Sequence, residues 1–275
     1  MIAKTNNVCQ GEVTPMTEPS DHATSDRLKV AMTAAWDRGA ADYDHHWGHG
    51  LQTAVEREAW VEMLKRLVPP TPALRILDVG TGTGFLALLL GEIGHQVVGI
   101  DLSEGMLSVA RAGAQQRGLD TTFVVGDVES PPEDLGRFDV VMARHVFWTL
   151  LQPEAAVRAW ADLLRPQGRV IVIDVLMKPA GITDGVLHEA GRILTRLRPG
   201  SHHADHSYPA EVRGRLPLRY LASPEPARNV LVRAGLIDVL SEELTWIDDL
   251  ERSVMPIVQR LQHRSRRYLV EGRIS

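Results

Sequence analysis

Asp78, Gly80, Gly82 and Gly84 stand in the order D-x-G-x-G-x-G, overlapping the apolar run of Ile76, Leu77 and Val79. Alternate glycines let a chain turn sharply at a strand end and let a ligand approach without meeting a Cβ. The spacing is not the G-x-G-x-x-G of a dinucleotide turn, because Phe85 stands three residues after Gly82. A pyrophosphate has no need of the upstream acid, whereas a ligand with a cationic amino group gains from it. Asp101 closes a second run, His95 to Ile100, and is placed to take two ribose hydroxyls on its two oxygens. Asp127 follows Gly126 after a third run, Thr121 to Val125. There a carboxylate can accept from an exocyclic amine such as that of adenine. The plain alternative for both acids is a solvated turn.

These acids need a sheet to line them up. Apolar runs at 74–79, 95–100, 121–125, 138–143 and 168–175 read as buried strands. Helices are expected between them at 84–93, 104–117 and 153–165, an alternation that implies a parallel sheet with right-handed crossovers. Upstream, helices are expected at Ser25–Asp42 and Leu51–Leu67, the second stopped by Pro69, Pro70 and Pro72. Residues 1–24 are polar and aperiodic and read as a disordered tail. After Val175 the regular beat breaks. Met177–Ser223 is too long for a simple connection; it holds a helix near 184–196 and the polar loop 198–209. A helix at 224–235, a strand at 237–244, a helix at 248–264 and a last run, Arg267–Ile274, follow.

On these residues the chain resembles the class I S-adenosylmethionine-dependent methyltransferases. The matching stretches are DVGTGTG (78–84), GIDLSEGML (99–107), GDVES (126–130), FDVVMARHVFW (138–148) and LLRPQGRVIVID (163–174), in the family's order. The resemblance implies a seven-stranded, mostly parallel, doubly wound α/β sheet whose last strand is antiparallel. It implies five segments: the tail 1–24, an N-terminal helical lid 25–70, the donor-binding core 71–176, a cap insertion 177–223, and 224–275 completing the sheet. It also implies S-adenosylmethionine as cofactor, leaving as S-adenosylhomocysteine. Asp78, Gly80, Thr81 and Gly82 would serve its methionine end and Asp101 its ribose. Leu102 and Met106 would pack on adenine, and Asp127 and Val128 would meet its edge. Arg144 and His145 follow the fourth strand, where the family places groups near the methyl. Either would touch the donor's carboxylate, His145 would serve as a base, or the pair would only cap the next helix.

His45, His46, His49 and His202, His203, His206 both read H-H-x-x-H, a pattern that zinc or nickel would accept. With glycine and proline close by and no neighbouring cysteine, the preferred reading makes both segments a roof over the donor and takes no metal. Tyr43, His45 and His145 are then the candidate proton-handling groups. His46, Trp47, His206 and Tyr208 would line the acceptor, with Tyr43 and Trp47 offering faces for a flat ring. The acceptor is expected to be a small molecule, and the general look of 43–50 and 144–151 resembles actinobacterial natural-product methyltransferases, including those that methylate indolic carbon. A protein that binds the donor without transferring methyl is the competing class.

The bulk properties agree with a globular enzyme rather than a polyanion binder. The chain has 275 residues, 44% hydrophobic and 24% charged, enough for one large core with a smaller attachment. A formal charge of −5 argues against non-specific nucleic-acid binding. The Asn-Pro-Pro-Tyr pattern of base-methylating enzymes is also missing after the fourth strand. Cys9 is the lone cysteine, so no intrachain disulfide forms and a cytoplasmic setting is expected. Neither a secretory leader nor a membrane-length apolar run is visible, so no membrane partner is expected; a homodimer is allowed.

Overall fold

The computed structural model describes residues 21–176, 208–262 and 266–275. Seven strands form one sheet in the order β3-β2-β1-β4-β5-β7-β6. The strands are β1 (Arg75–Val79), β2 (Gln96–Asp101), β3 (Thr122–Val125), β4 (Phe138–Arg144), β5 (Leu164–Leu176), β6 (Ile237–Glu243) and β7 (Arg266–Arg273). β1 to β5 pair in parallel, and β7 runs antiparallel between β5 and β6. The chain order reverses between β1 and β4. Their carboxyl ends therefore open a crevice, the place where such sheets bind ligands.

Helices cover both faces. α2 (Ala54–Leu67), α3 (Phe85–Ile93) and α4 (Glu104–Arg117) bury Trp60, Leu64, Leu86, Leu89 and Leu107 against Ile76, Val140 and Ile171. On the other face, α5 (Pro153–Asp162) and α7 (Glu225–Arg233) bury Val157, Trp160, Val230 and Leu231 against Leu77, Val141 and Val172. Each such large side chain contributes about 1.5–3 kcal/mol by leaving water. The helix starts are built by local chemistry. Thr53 accepts from the Glu56 amide at 3.2 Å while the Glu56 carboxylate accepts from the Gln52 amide at 3.1 Å. Ser103 caps α4 through the Met106 amide at 3.1 Å.

Several boundaries depart from the sequence reading. α1 (Asp21–Gly39) begins before Ser25 and is followed by a 3-10 turn (Ala40–His45), so residues 21–24 are helix rather than tail. α5 stops at Asp162 because Leu164 already pairs with Phe138 in the sheet. The helix expected over 248–264 is two, α8 (Thr245–Val254) and α9 (Ile257–Gln262), interrupted at Pro256, whose ring and missing N–H break the ladder. Of the insertion, α6 (Ala210–Arg213) is seen; Tyr208, Val212 and Leu216 pack against Leu28, Met32 and Ala35 of α1. The helix expected near 184–196 and the histidines 202, 203 and 206 lie outside the described residues.

Candidate functional site

The crevice at the carboxyl ends of β1, β2, β3 and β4 is a cleft partly open to solvent. Its floor is the glycine turn after β1. Gly80, Gly82 and Gly84 have φ of 66°, 55° and 88°, a region that L side chains rarely adopt. A Cβ on Gly80 would stand 2.4 Å from Val146, whereas one on Gly82 would meet nothing within 4 Å. Gly80 is thus needed for packing below, and Gly82 leaves its space to whatever enters the cleft.

Asp101 projects into this space. Its Oδ2 accepts from the Gly82 amide and its Oδ1 from the Ser103 amide, both at 2.9 Å. Burial raises its pKa above the ordinary carboxylate value, with the Ser103, Gly82 and Leu102 amides working the other way. Leu102, Met106 and Val128 give the neighbouring walls apolar faces, and Asp127 stands at the far edge. Asp127 Oδ1 accepts from the Glu129 amide at 2.9 Å, and its Oδ2 accepts from Lys29 of α1 at 2.7 Å.

Asp78 does something different from what its position in the motif suggests. It is buried away from the cleft lining, and its Oδ2 accepts from Thr81 Oγ1 at 2.7 Å and from the Ala87 amide at 3.1 Å. Asp78 therefore ties the glycine turn to the first turn of α3 from below. Burial pushes its carboxyl up to about 7, against the Thr81 and Ala87 hydrogen bonds. Thr81 is likewise buried under the loop. Neither is a contact residue of the cleft.

The N-terminal segment forms the roof. Lys29, Thr33 and Trp36 of α1 line the cleft at helical spacing, together with Tyr43 from the 3-10 turn. Asp37 fixes α1 over the start of α4, accepting from Ser103 Oγ at 2.5 Å and the Gly105 amide at 3.1 Å. Thr83 Oγ1 donates to Asp44 Oδ1 at 2.6 Å, joining the roof to the glycine turn. A Cβ on Gly50 would lie 2.2 Å from the Asp44 carbonyl oxygen, so the 44–50 loop can close on itself only with glycine there.

The aromatic wall lies between the roof and the end of β4. Tyr43 stacks on His49 with centroids 4.4 Å apart, and Trp36 meets Tyr43 edge-on at 5.8 Å. His145 faces the cleft with φ of 57°, its amide donating to the Ile173 carbonyl at 3.0 Å. A non-glycine residue at positive φ is uncommon, and such strain concentrates at functional sites. Burial pushes the Tyr43 hydroxyl up to about 12, so at neutral pH it is a hydrogen-bond donor and not a base. Arg144 also lines the cleft. Its guanidinium lies 3.6 Å from the Phe85 ring centroid and donates to the Gly48 and His49 carbonyls at 2.7 and 3.1 Å. Burial, with help from Arg267, lowers its pKa to about 10, which leaves it charged at neutral pH.

Four further expected contact residues are elsewhere. His45 is exposed, with Asp42 3.7 Å away, because the 3-10 turn points it outward; it is not placed for proton transfer in the cleft. His46 Nδ1 lies 2.9 Å from the Asp42 carbonyl, and Trp47 bridges through its backbone to Gly50. Neither lines the cleft. Tyr208 is buried one layer behind: the Trp36 indole N–H donates to its hydroxyl at 2.7 Å. His206 lies outside the described residues. Among the described residues no cluster of three His, Cys, Asp or Glu is arranged to hold a metal.

Two acids and a lysine escaped the sequence reading. Glu129 Oε1 accepts from the Leu151 and Gln152 amides at 2.5 and 2.8 Å, pinning the start of α5. Asp174, on β5, accepts from the Trp148 and Val175 amides at 3.2 and 2.7 Å and so holds the turn after His145; burial pushes it up to about 7. Its signal was an acid within the apolar run Val170–Leu176. Lys29 left a weaker one, its helical spacing with Thr33 and Trp36.

Residues 77–172 match the model of a family described as a methyltransferase domain. Among curated proteins, the ubiquinone biosynthesis O-methyltransferase of Xanthomonas axonopodis pv. citri is 34% identical over 141 residues, covering 50% of this chain and 58% of that one. The demethylmenaquinone methyltransferase of Thermus thermophilus is 39% identical over 109 residues, covering 39% and 50%. The chain thus spans about half the length of the curated relatives it matches. Among solved structures, phosphoethanolamine N-methyltransferase 2 of Haemonchus contortus, in complex with phosphomonomethylethanolamine and S-adenosylhomocysteine, superposes with a TM-score of 0.58 at 18% identity, covering 88% of this chain and 60% of that one. That likeness shows a shared Rossmann-like sheet. Among the described residues no helix is long and apolar enough to cross a membrane.

Proposed function

We propose that the chain is a methyltransferase that draws its methyl group from S-adenosylmethionine and delivers it to a small aromatic molecule. The observation that carries this reading is the meeting, in one cleft, of strand-end acids with an aromatic wall. Asp101 and Asp127 stand beside the apolar Leu102, Met106 and Val128, and open space lies over Gly82. That set fits a nucleoside with hydroxyls at one end, a flat base and an exocyclic amine. Asp101 would take the ribose, Leu102, Met106 and Val128 the base, and Gly80 and Gly82 with Arg144 the amino-acid end. When bound, the sulfonium supplies an electrophilic methyl group.

The protein's task is then to orient and to exclude water. The 43–49 segment, latched to Arg144 and Thr83, covers the cleft and presents Tyr43, backed by the stacked His49 ring, to a flat acceptor. In this reading His145, which lines the cleft, holds or removes a proton from the acceptor, while Tyr43 donates a hydrogen bond and stays protonated. A ring oxygen or nitrogen that must lose its proton, or a ring carbon activated by such a neighbour, suits this pair. The names of the quinone-pathway relatives support a hydroxylated ring, and the look of 43–50 and 144–151 supports an indolic one. Both are flat rings carrying an acidic O–H or N–H.

Calorimetry with S-adenosylhomocysteine tests the donor site, with micromolar-range binding expected, on the order of −7 to −8 kcal/mol. Transfer of label from methyl-labelled S-adenosylmethionine to a panel of hydroxylated quinols and indoles tests the acceptor class. Tight donor binding with no transfer to any aromatic acceptor would leave a donor-binding protein without catalysis.

A further inference from the structure

Among the described residues Lys29 is the one cation of α1 that lines the cleft, and it does so at the edge where Asp127 stands. Its ammonium is 2.7 Å from Asp127 Oδ2 and 2.7 Å from Glu129 Oε2, with the side chain only 16% exposed. Burial works to lower its pKa and the two carboxylates outweigh that, so it is fixed as a cation. Both acids are themselves held by main-chain amides, Asp127 by Glu129 and Glu129 by Leu151 and Gln152. The ammonium therefore sits at a set point, with two of its three N–H groups used. Among the described residues it has no third partner, and the side chain lines the cleft.

We propose that Lys29 is a specificity residue for the donor: with Asp127 it reads the amine and the adjacent ring nitrogen of an aminopurine. This rests on the donor reading above. The six-membered edge of adenine offers an N–H donor beside a ring-nitrogen acceptor. Asp127 supplies the acceptor for the first, since Oδ2 keeps a lone pair while holding Lys29, and Lys29 supplies the donor for the second. One cation against two anions leaves the cluster net negative, which suits the amine. A 6-oxopurine reverses both groups, setting its carbonyl against Asp127 and its ring N–H against the ammonium. It is excluded by repulsion on both counts.

The test is a set of calorimetric titrations. The ligands are S-adenosylhomocysteine, its analogue with CH in place of that ring nitrogen, and its inosine analogue. The proteins are the unaltered chain, Lys29→Met and the charge-compensated pair Lys29→Met/Glu129→Gln, which serves if the single variant fails to fold. The unaltered protein should prefer S-adenosylhomocysteine over the CH analogue by about tenfold or more, the scale of a hydrogen bond from a charged donor. In either variant that preference should collapse to about twofold or less, and discrimination against inosine should fall with it. Equal affinity of the unaltered protein for the two ligands overturns the inference. So does full discrimination retained by the variants, which would assign the reading to a backbone amide. An equal loss of affinity for both ligands would reduce Lys29 to a strap that holds α1 and also overturns it. If the unaltered protein binds none of the three, the donor assignment falls and this inference with it.

Discussion

Arg144 Nη2 lies 2.7 Å from the carbonyl oxygen of Gly48, and Nη1 of the same guanidinium reaches the His49 carbonyl. A residue at the end of a buried strand thereby holds shut the loop that carries the aromatic wall. The guanidinium is kept in place by the rings of Phe85 and Trp60, at 3.6 and 5.0 Å from their centroids. Arg144→Met should release residues 46–50 while the sheet stays folded. Amide exchange in that loop should rise by about tenfold or more, the scale of losing hydrogen bonds to a charged group. Unchanged protection there would show that Thr83 on the Asp44 carboxylate and Gln52, whose Nε2 donates to the Asp44 carbonyl at 2.6 Å, hold the loop without it.

Asp101 fastens the glycine turn through the Gly82 amide and faces the cleft. Asp101→Ala should weaken S-adenosylhomocysteine binding by roughly 1–3 kcal/mol, since charge-assisted hydrogen bonds are removed. Calorimetry giving the same affinity as the unaltered chain would sink the ribose assignment.

His145 and Tyr43 should separate in their effects. His145→Ala should lower kcat by roughly 10²-fold or more, as loss of a general base does. Tyr43→Phe should cost nearer tenfold, the worth of one hydrogen bond, because its hydroxyl, pushed up to about 12, is never the base near neutrality. Donor affinity should change little in either. Equal losses in the two variants would contradict this division of roles.

Asp78 makes stability depend on pH in an unusual direction. Its folded pKa is raised to about 7 from an unfolded value near 3.8, so the native state binds the extra proton. That contribution is fully present below about pH 4 and is lost as pH rises through 7. Asp78→Asn carries no titrating proton, and its amide oxygen can still accept from Thr81 and Ala87. The Tm of the unaltered chain, relative to this variant, should therefore fall between about pH 4 and 7 and level off above. A difference that stays flat across that range would place the Asp78 titration elsewhere.

Metal removal should leave transfer intact, because methyl transfer from a sulfonium needs positioning more than a Lewis acid. Chelation and dialysis followed by the labelled-donor assay is the check. Activity lost with chelator and restored by one divalent ion would make ligands of the histidine clusters.

Features dictated by short-range geometry were legible before the fold was known. The apolar runs marked the five parallel strands along the chain, since buried parallel strands must be apolar on both faces. The glycine spacing marked the turn after β1, and Asp101, the last residue of β2, and Asp127, two residues past the end of β3, were legible because residues at or just beyond a strand's end emerge at the sheet's carboxyl edge. Tertiary structure decided which of the locally equivalent groups face the cleft. Asp78 has the motif position of a ligand group, yet the start of α3 draws its carboxylate inward through the Ala87 amide. In the run Tyr43 to His49, the 3-10 turn sends His45 to solvent and Tyr43 to the wall. Lys29 meets Asp127 across nearly a hundred residues of chain because α1 lies over the sheet's edge. No local pattern encodes such contacts. They depend on where whole helices dock, and that is set by the burial of Leu28, Met32 and Ala35 against Tyr208, Val212 and Leu216 on a distant segment.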